Sequence, residues 1–301
     1  MTNSTDERLW VVVGPTASGK TALAIALCEA HDGEIVSADS VQVYRHFEIG
    51  SGKPSAEERA RARHHVIDVI EPDEPMDAAR FAELAELAIA DIRARGKRPI
   101  VCGGTFLWVR ALIHGLVPAP PANPEIRARH QARAAAVGRA GLHEDLARVD
   151  PDAARRLAQN DFVRVSRALE VHELTGVRMT DWQAAHGFKT SRHSARLLGV
   201  RRDKEELDRR ILARCQAMLG AGWVEEAKHL TERGFAGTRP FASVGYKQVA
   251  LALESGKALD LADLELQIYR STRVFARRQR TWLRDEPIEY LAPGTATLES
   301  R

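Results

Sequence analysis

Along the first third of the chain, short apolar runs alternate with longer amphipathic stretches. Residues 10–13 (WVVV) form a brief unbroken apolar run, the signature of a buried strand. Residues 21–30 (TALAIALCEA) are rich in Ala and Leu and predict a helix. Residues 34–39 (EIVSAD) predict a second strand that ends in a carboxylate, with a turn or short helix at 40–44. Gly50, Gly52 and Pro54 mark a loop, and 65–70 (HVIDVI) predicts a third strand. From 78 to 95, Phe81, Leu84, Leu87, Ala88 and Ile92 recur at helical spacing, and Gly96 ends the pattern. Residues 99–102 (PIVC) predict a fourth strand. Gly103-Gly104-Thr105 closes it and opens a helix over 106–114. This alternation predicts an α/β fold with a doubly wound parallel sheet.

The pattern changes at 117–124 (VPAPPANP), where four prolines make a stiff boundary. Residues 125–186 carry helical periodicity throughout, in segments 125–137, 141–148, 151–158, 161–175 and 179–185. The expected organisation is a core from 1 to 116, an all-helical insertion from 117 to 194, and the rest of the core from 195 to 301. A strand at 195–200 returns the chain to the sheet. A helix at 203–220 follows with the apolar stripe Leu207, Ile211, Cys215, Met218 and Leu219, and then a helix at 224–233. The last long helix is expected at 261–284, and a short strand at 288–291. On that helix Ile268, Phe275 and Trp282 repeat every seven positions and are expected to hold it on the core. Arg270, Arg273, Arg277, Arg280 and Arg284, spaced three and four apart, share another face.

Composition narrows the classes. The 301 residues are 44% hydrophobic and 28% charged, enough apolar mass for a packed core. The net charge is only +3, so an argument for a polyanionic partner rests on where the basic residues sit. The arginine face is such a place. No acid interrupts 270–284, and like charges at this spacing cost helix stability. Cys28, Cys102 and Cys215 show no paired spacing and read as buried thiols in a reducing compartment. The polar, partly acidic start MTNSTDER argues against a secretory leader, and no apolar run reaches membrane-spanning length. The expected setting is the cytoplasm, with no membrane contact.

Chemistry concentrates at Gly14, Pro15, Thr16, Ala17, Ser18, Gly19, Lys20 and Thr21. They match G-x-x-x-x-G-K-[ST] between a strand and a helix. Backbone N–H groups and a helix N-terminus surround one anion there, Lys20 adds a point charge, and the Thr21 hydroxyl suits Mg²⁺. Asp39, at the carboxyl end of its strand, lies where open α/β sheets bind ligands. It reads as a base, a water-mediated metal ligand, or an N-cap. Arg164 and Arg167, three apart, share a helix face in the insertion.

The sequence resembles the tRNA dimethylallyltransferases. The matching pieces are GPTASGKT (14–21), SADSVQVYR (37–45), IGSGKPS (49–55), HHVIDV (64–69), GGTFLWVRAL (103–112), RVSRALEV (164–171), VGYKQ (244–248) and TRVFARRQRTWLR (272–284). The resemblance implies a P-loop NTPase-like fold. It implies transfer of a dimethylallyl group from its diphosphate to the exocyclic amine of the adenine 3′ of the tRNA anticodon, by a cytoplasmic, monomeric, Mg²⁺-dependent enzyme. It further implies that Asp39 serves the amine and that Thr16, Lys20 and Arg210 hold the diphosphate. Thr105 and Arg127 would line the passage where base meets donor. Asp39, Ser40, Val41, Gln42, Arg164, Arg167, Arg277, Arg278, Gln279, Arg280 and Arg284 would contact the tRNA anticodon stem-loop. Three pieces depart from the family pattern: Ser51-Gly52 where Thr-Ala is usual, Phe106-Leu107-Trp108 where Gly-Leu-Tyr is usual, and Ala242-Ser243 where a basic residue is usual. Two other classes compete. A small-molecule kinase accounts for the loop and Asp39 but leaves the insertion and arginine face unused. A nucleotide-switched RNA-binding module accounts for loop and arginines but not for the carboxylate.

Overall fold

The computed structural model describes residues 7–187, 191–256 and 258–292; residues 1–6, part of the segment read against a leader, lie outside it. The chain divides into two compact units, one of residues 1–113 and 192–301 and one of 114–191.

The first unit is built on a parallel sheet of β1 (Leu9–Val13), β2 (Gly33–Ala38), β3 (His64–His65), β4 (Arg98–Gly103), β5 (Ala195–Val200) and β6 (Glu289–Leu291). Their spatial order is β3-β2-β4-β1-β5-β6, and every pairing is parallel. All five residues of β1 are at most 3% exposed, so both faces of this central strand are covered. That explains why WVVV is continuously apolar rather than alternating. Each such side chain contributes about 1.5–3 kcal/mol of burial. Helix α1 (Lys20–His31) lays Leu23, Ala24, Leu27 and Cys28 on one face of the sheet, against Trp10, Val12, Ile35, Ile100 and Leu198.

Helix α2 (Ala56–Arg61) starts at a capping box made by Ser55 and Glu58. Helix α3 (Ala78–Ala94) is capped by Asp77 and buries Ala78, Phe81, Ala82, Ala85, Ile89 and Ile92. The stripe expected through Leu84, Leu87 and Ala88 is displaced: Leu87 is 70% exposed. Small alanines carry the contact face, which hydrophobicity ranking underweights. Helix α4 (Phe106–His114) stacks Trp108 on Phe81, with ring centroids 4.7 Å apart.

The third strand is shorter than the expected 65–70. Only His64 and His65 pair with β2, because Val66 and Asp68 adopt left-handed backbone (φ 60° and 58°) that breaks the ladder. Ile70 then makes an isolated bridge to Tyr44.

The second unit is helical: α5 (Pro124–Val149), α6 (Pro151–Arg156), α7 (Phe162–Thr175) and α8 (Met179–His186). Gly138, at φ 77°, kinks α5 between the two segments expected there. Leu142, Leu146, Ala153, Ala154, Val165, Ala168 and Leu169 form its core. Asp150 is fully buried, caps α6 through Ala153 N, and accepts from Thr180 N and Oγ1.

The first unit is completed by α9 (Lys204–Gly220), α10 (Trp223–Glu232), a 3₁₀ turn at Pro240–Ala242, α11 (Tyr246–Glu254) and α12 (Leu261–Leu283). The contact face of α12 is Leu264, Ile268, Ala276, Gln279 and Leu283. Phe275 and Trp282, expected in the core, are 40% and 42% exposed. A straight helix drifts about 20° per seven residues, so the seven-residue repeat through Ile268 leaves the core while the 3–4 series stays on it. No helix among the described residues is long and apolar enough to cross a membrane.

Candidate active site

The phosphate-binding loop joins β1 to α1. Ala17 (φ 62°) and Gly19 (φ 95°) both adopt left-handed backbone, which turns the chain tightly around the N-terminus of α1. That terminus has no side-chain cap and no acid in its first turn, so its N–H groups remain available to an anion. The Ser18 hydroxyl is buried without a hydrogen-bond partner. A Cβ at Gly14 would lie 2.6 Å from Ser18 Oγ, so a side chain there would force that hydroxyl to turn.

Three side chains fasten this loop from outside. Arg202 Nε donates to Ser18 O at 3.1 Å, and Arg210 Nε donates to Ala17 O at 2.8 Å. Gln279 accepts from Thr16 N at 2.8 Å and donates to Gly104 O at 3.0 Å, tying α12 to the loop and to the double glycine after β4. Gln279 is 5% exposed, so it is a strut inside the site rather than an outward contact.

A cavity of about 480 Å³ opens over the carboxyl ends of β1, β2 and β4, where the switch in strand order places a crevice. Thr16, Lys20, Thr21, Asp39, Ser40, Val41, Gln42, Thr105 and Arg214 line its polar part. Met218, Trp223, Val244, Ile268 and Phe275 line its apolar part. Asp39 Oδ1 accepts from Val41 N at 2.9 Å and from Gln42 N at 3.3 Å, the N-cap-like role considered for it. Its Oδ2 has no hydrogen-bond partner among the described residues. Thr105 Oγ1 accepts from Ser40 N at 3.1 Å and lies 3.3 Å from Ser40 Oγ, linking the ends of β2 and β4. Gln42 Nε2 donates to Gly52 O at 2.9 Å and fixes the 49–52 loop over the cavity.

Two cations face this space with no ion pair or hydrogen bond among the described residues: Lys20 and Arg214. Desolvation lowers the Lys20 pKa, against the opposing influence of Cys102 and Asp39. Desolvation also lowers the Arg214 pKa, against the pull of Asp39. Burial pushes the Cys102 thiol up to about 12, so it is an inert wall at neutral pH. The Thr21 hydroxyl lines the same cavity and fits a metal held chiefly by phosphate oxygens. Among the described residues no group of three or more His, Cys, Asp or Glu could hold a metal by itself.

The family model described as IPP transferase matches residues 42–286, most of the chain. The chain belongs to the IPP transferase family. It is 60% identical over 284 residues to the tRNA dimethylallyltransferase of Sorangium cellulosum, covering 94% of this chain and 90% of that protein. It is 50% identical to that of Anaeromyxobacter dehalogenans, covering 95% of each. Among solved structures, the tRNA isopentenylpyrophosphate transferase of Bacillus halodurans superposes with a TM-score of 0.69 at 34% identity, covering 95% of this chain and 90% of that one. A eukaryotic dimethylallyltransferase acting on tRNA gives 0.80 at 26% identity, covering 95% and 74%. These neighbours agree with the P-loop NTPase-like parallel fold.

Within this IPP transferase the expected residues scatter in an informative way. The phosphate loop, Asp39 to Gln42, Thr105 and Gln279 meet at one cavity. Arg210 reaches the loop's backbone. Arg127 and Arg167 instead hold Glu170, which is fully buried: Arg127 donates twice at 3.0 Å, and Arg167 donates at 2.6 Å and also to Pro120 O. Arg164 is exposed, with an ion pair to Asp161 at 3.4 Å. On α12, Arg273 pairs with Asp208 at 2.8 Å, so the arginine face is not uniformly open. Arg270, Arg277 and Arg280 line a groove with Lys204 and Val274, and Arg278 and Arg284 are exposed.

Sequence reasoning missed Arg214 as a site residue. Its signal was available: it stands one turn beyond Arg210, off the apolar stripe of α9. Of the Ser51-Gly52 departure, Gly52 lies against this cation and adopts a left-handed backbone, φ 61°. A Cβ at Gly52 would lie 1.9 Å from Arg214 Nη2 and 2.9 Å from Met218 Cε, so any side chain there would displace both ends.

Proposed function

We propose that this chain transfers a dimethylallyl group from dimethylallyl diphosphate to the N6 amine of the adenine immediately 3′ of the tRNA anticodon, releasing diphosphate. The observation that carries the reading is one cavity holding two unmatched cations, a carboxylate with a free oxygen, and an apolar wall. Lys20, Arg214, Ser18 and the N–H groups of α1 bind the diphosphate and offset the charge that builds on it as it leaves. The amine lone pair attacks C1 of the allyl group, and the C1–O bond breaks with its electron pair departing on the diphosphate. The amine proton passes to Asp39 Oδ2. Thr105 positions Ser40 and the strand ends around the incoming base. Reaching this cavity requires the adenine to leave its stack. Thr21 and the diphosphate oxygens would hold Mg²⁺, which supplies further charge neutralisation on the leaving group. The exposed Arg277, Arg278, Arg280 and Arg284 of α12 and Arg164 of the helical unit serve the tRNA backbone. The enzyme acts as a monomer in the cytoplasm.

The test is incubation with dimethylallyl diphosphate, Mg²⁺ and unfractionated tRNA, followed by mass analysis of the nucleosides. A C5H8 mass increase on adenosine is expected. Phosphate transfer from ATP with no such increase would return the chain to the kinase class.

A further inference from the structure

Gly50 of IGSGKPS and Gly245 of VGYKQ have no part in the chemistry above, yet both close on one side chain. The indole of Trp223 sits where a Cβ at Gly50 would lie 1.9 Å from its Nε1 and a Cβ at Gly245 would lie 2.0 Å from its Cη2. Neither position tolerates any side chain while Trp223 keeps this place. The ring is 2% exposed and packs edge-on against Tyr246 with centroids 5.5 Å apart.

The frame around it is braced by Glu226. Its carboxylate accepts from Glu48 N (3.0 Å), Ile49 N (2.7 Å) and Gly50 N (3.2 Å), and from the Tyr246 hydroxyl. Trp223 is therefore a fixed wall of the cavity. It also buries an indole N–H with no hydrogen-bond partner, a cost that a phenylalanine would avoid. What the tryptophan adds is reach.

Helix α9 sets the scale of that reach. Arg210, Arg214 and Met218 recur every four residues on one face, about 6 Å apart at 1.5 Å per residue. The first touches the phosphate loop; the second and third meet over Gly52. Trp223 begins the next helix. Along the chain, Arg210 at the phosphate loop is followed by Arg214, Met218 and Trp223, all three lining the cavity: a cation, then a thioether, then a rigid indole.

We propose that Trp223 is the end stop that limits the prenyl donor to five carbons, with Gly50 and Gly245 as its seat. The inference rests on the prenyl-transfer reading above. A ten-carbon donor lengthens the chain by about 5 Å, and the stop excludes it.

The experiment compares dimethylallyl and geranyl diphosphate as donors to an anticodon stem-loop RNA, for the wild-type chain, Trp223→Phe and Trp223→Ala. Each variant's folding is checked by thermal denaturation, and its affinity for inorganic diphosphate by calorimetry. The expected result is strong wild-type preference for dimethylallyl diphosphate. The geranyl-to-dimethylallyl ratio of kcat/KM should rise about tenfold or more in Trp223→Phe, the scale on which apolar pockets discriminate chain length. It should rise further in Trp223→Ala, with diphosphate affinity unchanged. Should Trp223→Ala not fold, Met218→Ala, which shortens the neighbouring wall, is expected to move the ratio in the same direction. An unchanged ratio in folded variants overturns the stop, as does a wild-type chain that uses both donors equally. Absence of transfer from either donor by the wild type overturns the prenyl-transfer reading itself, and this inference with it.

Discussion

The two units each bury a cluster of charge, and they treat it in opposite ways. In the helical unit, Glu170 is fully buried and fully matched. Asn123 N donates to it at 2.6 Å, and Arg127 and Arg167 approach from two sides. Burial opposes its ionisation, but those hydrogen bonds outweigh the effect and its pKa is lowered. In the α/β unit, Lys20 and Arg214 line a cavity without a counter-charge in contact. An enclosed charge costs free energy unless it is paired. A closed cluster is therefore architecture, and an open one suits the diphosphate of the proposed reaction. The family resemblance implies that Arg127 lines the passage where base meets donor and that Arg167 contacts the tRNA. In the structure both hold Glu170, and with Asn123 N and Pro120 O they fasten the proline-rich 118–123 segment to α5 and α7.

The largest effect should come from the open site. Asp39→Asn keeps an acceptor for Val41 N but removes the base. The single-turnover rate of prenyl transfer should fall about 10²–10⁴-fold, with tRNA affinity changed much less. A rate near wild type would reduce Asp39 to a turn cap and leave the open cluster without its chemistry.

Next, Lys20→Met should lower diphosphate affinity about 10- to 100-fold, the equivalent of one charge-assisted hydrogen bond. It should leave thermal stability unchanged or raised, because an unmatched cation is removed. The pH dependence sharpens this. The Lys20 pKa is lowered by desolvation, so its charge is present below that pKa and is lost as pH rises through it. Diphosphate affinity should therefore decline at a lower alkaline pH than an ordinary lysine would give, and the decline should vanish in Lys20→Met. A titration identical in both proteins would place the essential cation elsewhere.

Much of this was legible in the sequence, because the informative signals are local. A strand, a glycine loop and a helix identify the phosphate site within twelve residues, and 117–124 announces a change of architecture by its prolines. What escaped was partnership. Nothing in RRQR distinguishes Gln279, turned inward to Thr16 and Gly104, from its exposed neighbours; helical phase decides, and a seven-residue apolar repeat suggested the wrong phase. Arg273 and Asp208 are far apart in the chain and meet only when α9 packs on α12. The third strand shortened for a different reason: HVIDVI has strand propensity, but left-handed backbone at Val66 and Asp68 overrides it. There Asp68 binds Lys53, and Arg59 at 3.2 Å.

The closed cluster gives a contrasting prediction. Glu170→Gln retains the shape but removes the charge that two arginines share. Because Arg127 is 48% exposed and regains water, the loss should be about 1–3 kcal/mol of stability. It should be read as a lower melting temperature with diphosphate affinity intact. Lost diphosphate affinity in a folded Glu170→Gln protein would break the distinction between matched and unmatched charge.

The smallest effect tests the same distinction on a single helix. Arg277 and Arg280 are exposed on α12, whereas Arg273 is held by Asp208 at 2.8 Å. If tRNA phosphates meet this face, each free arginine releases counterions on binding, and its loss reduces the salt slope of affinity by a little under one unit on duplex regions. Arg277→Ala plus Arg280→Ala should therefore flatten the slope by more than one unit. Arg273→Ala should change it by less than either single loss, since Asp208 already neutralises that charge and Lys204, 3.6 Å from Asp208, remains to pair the carboxylate. Diphosphate affinity should be unchanged in all of them. Measuring tRNA affinity at several salt concentrations separates the cases. Equal slopes for Arg273→Ala and Arg277→Ala would mean that the ion pair opens on binding, and that pairing in the free protein does not decide which arginines reach the tRNA.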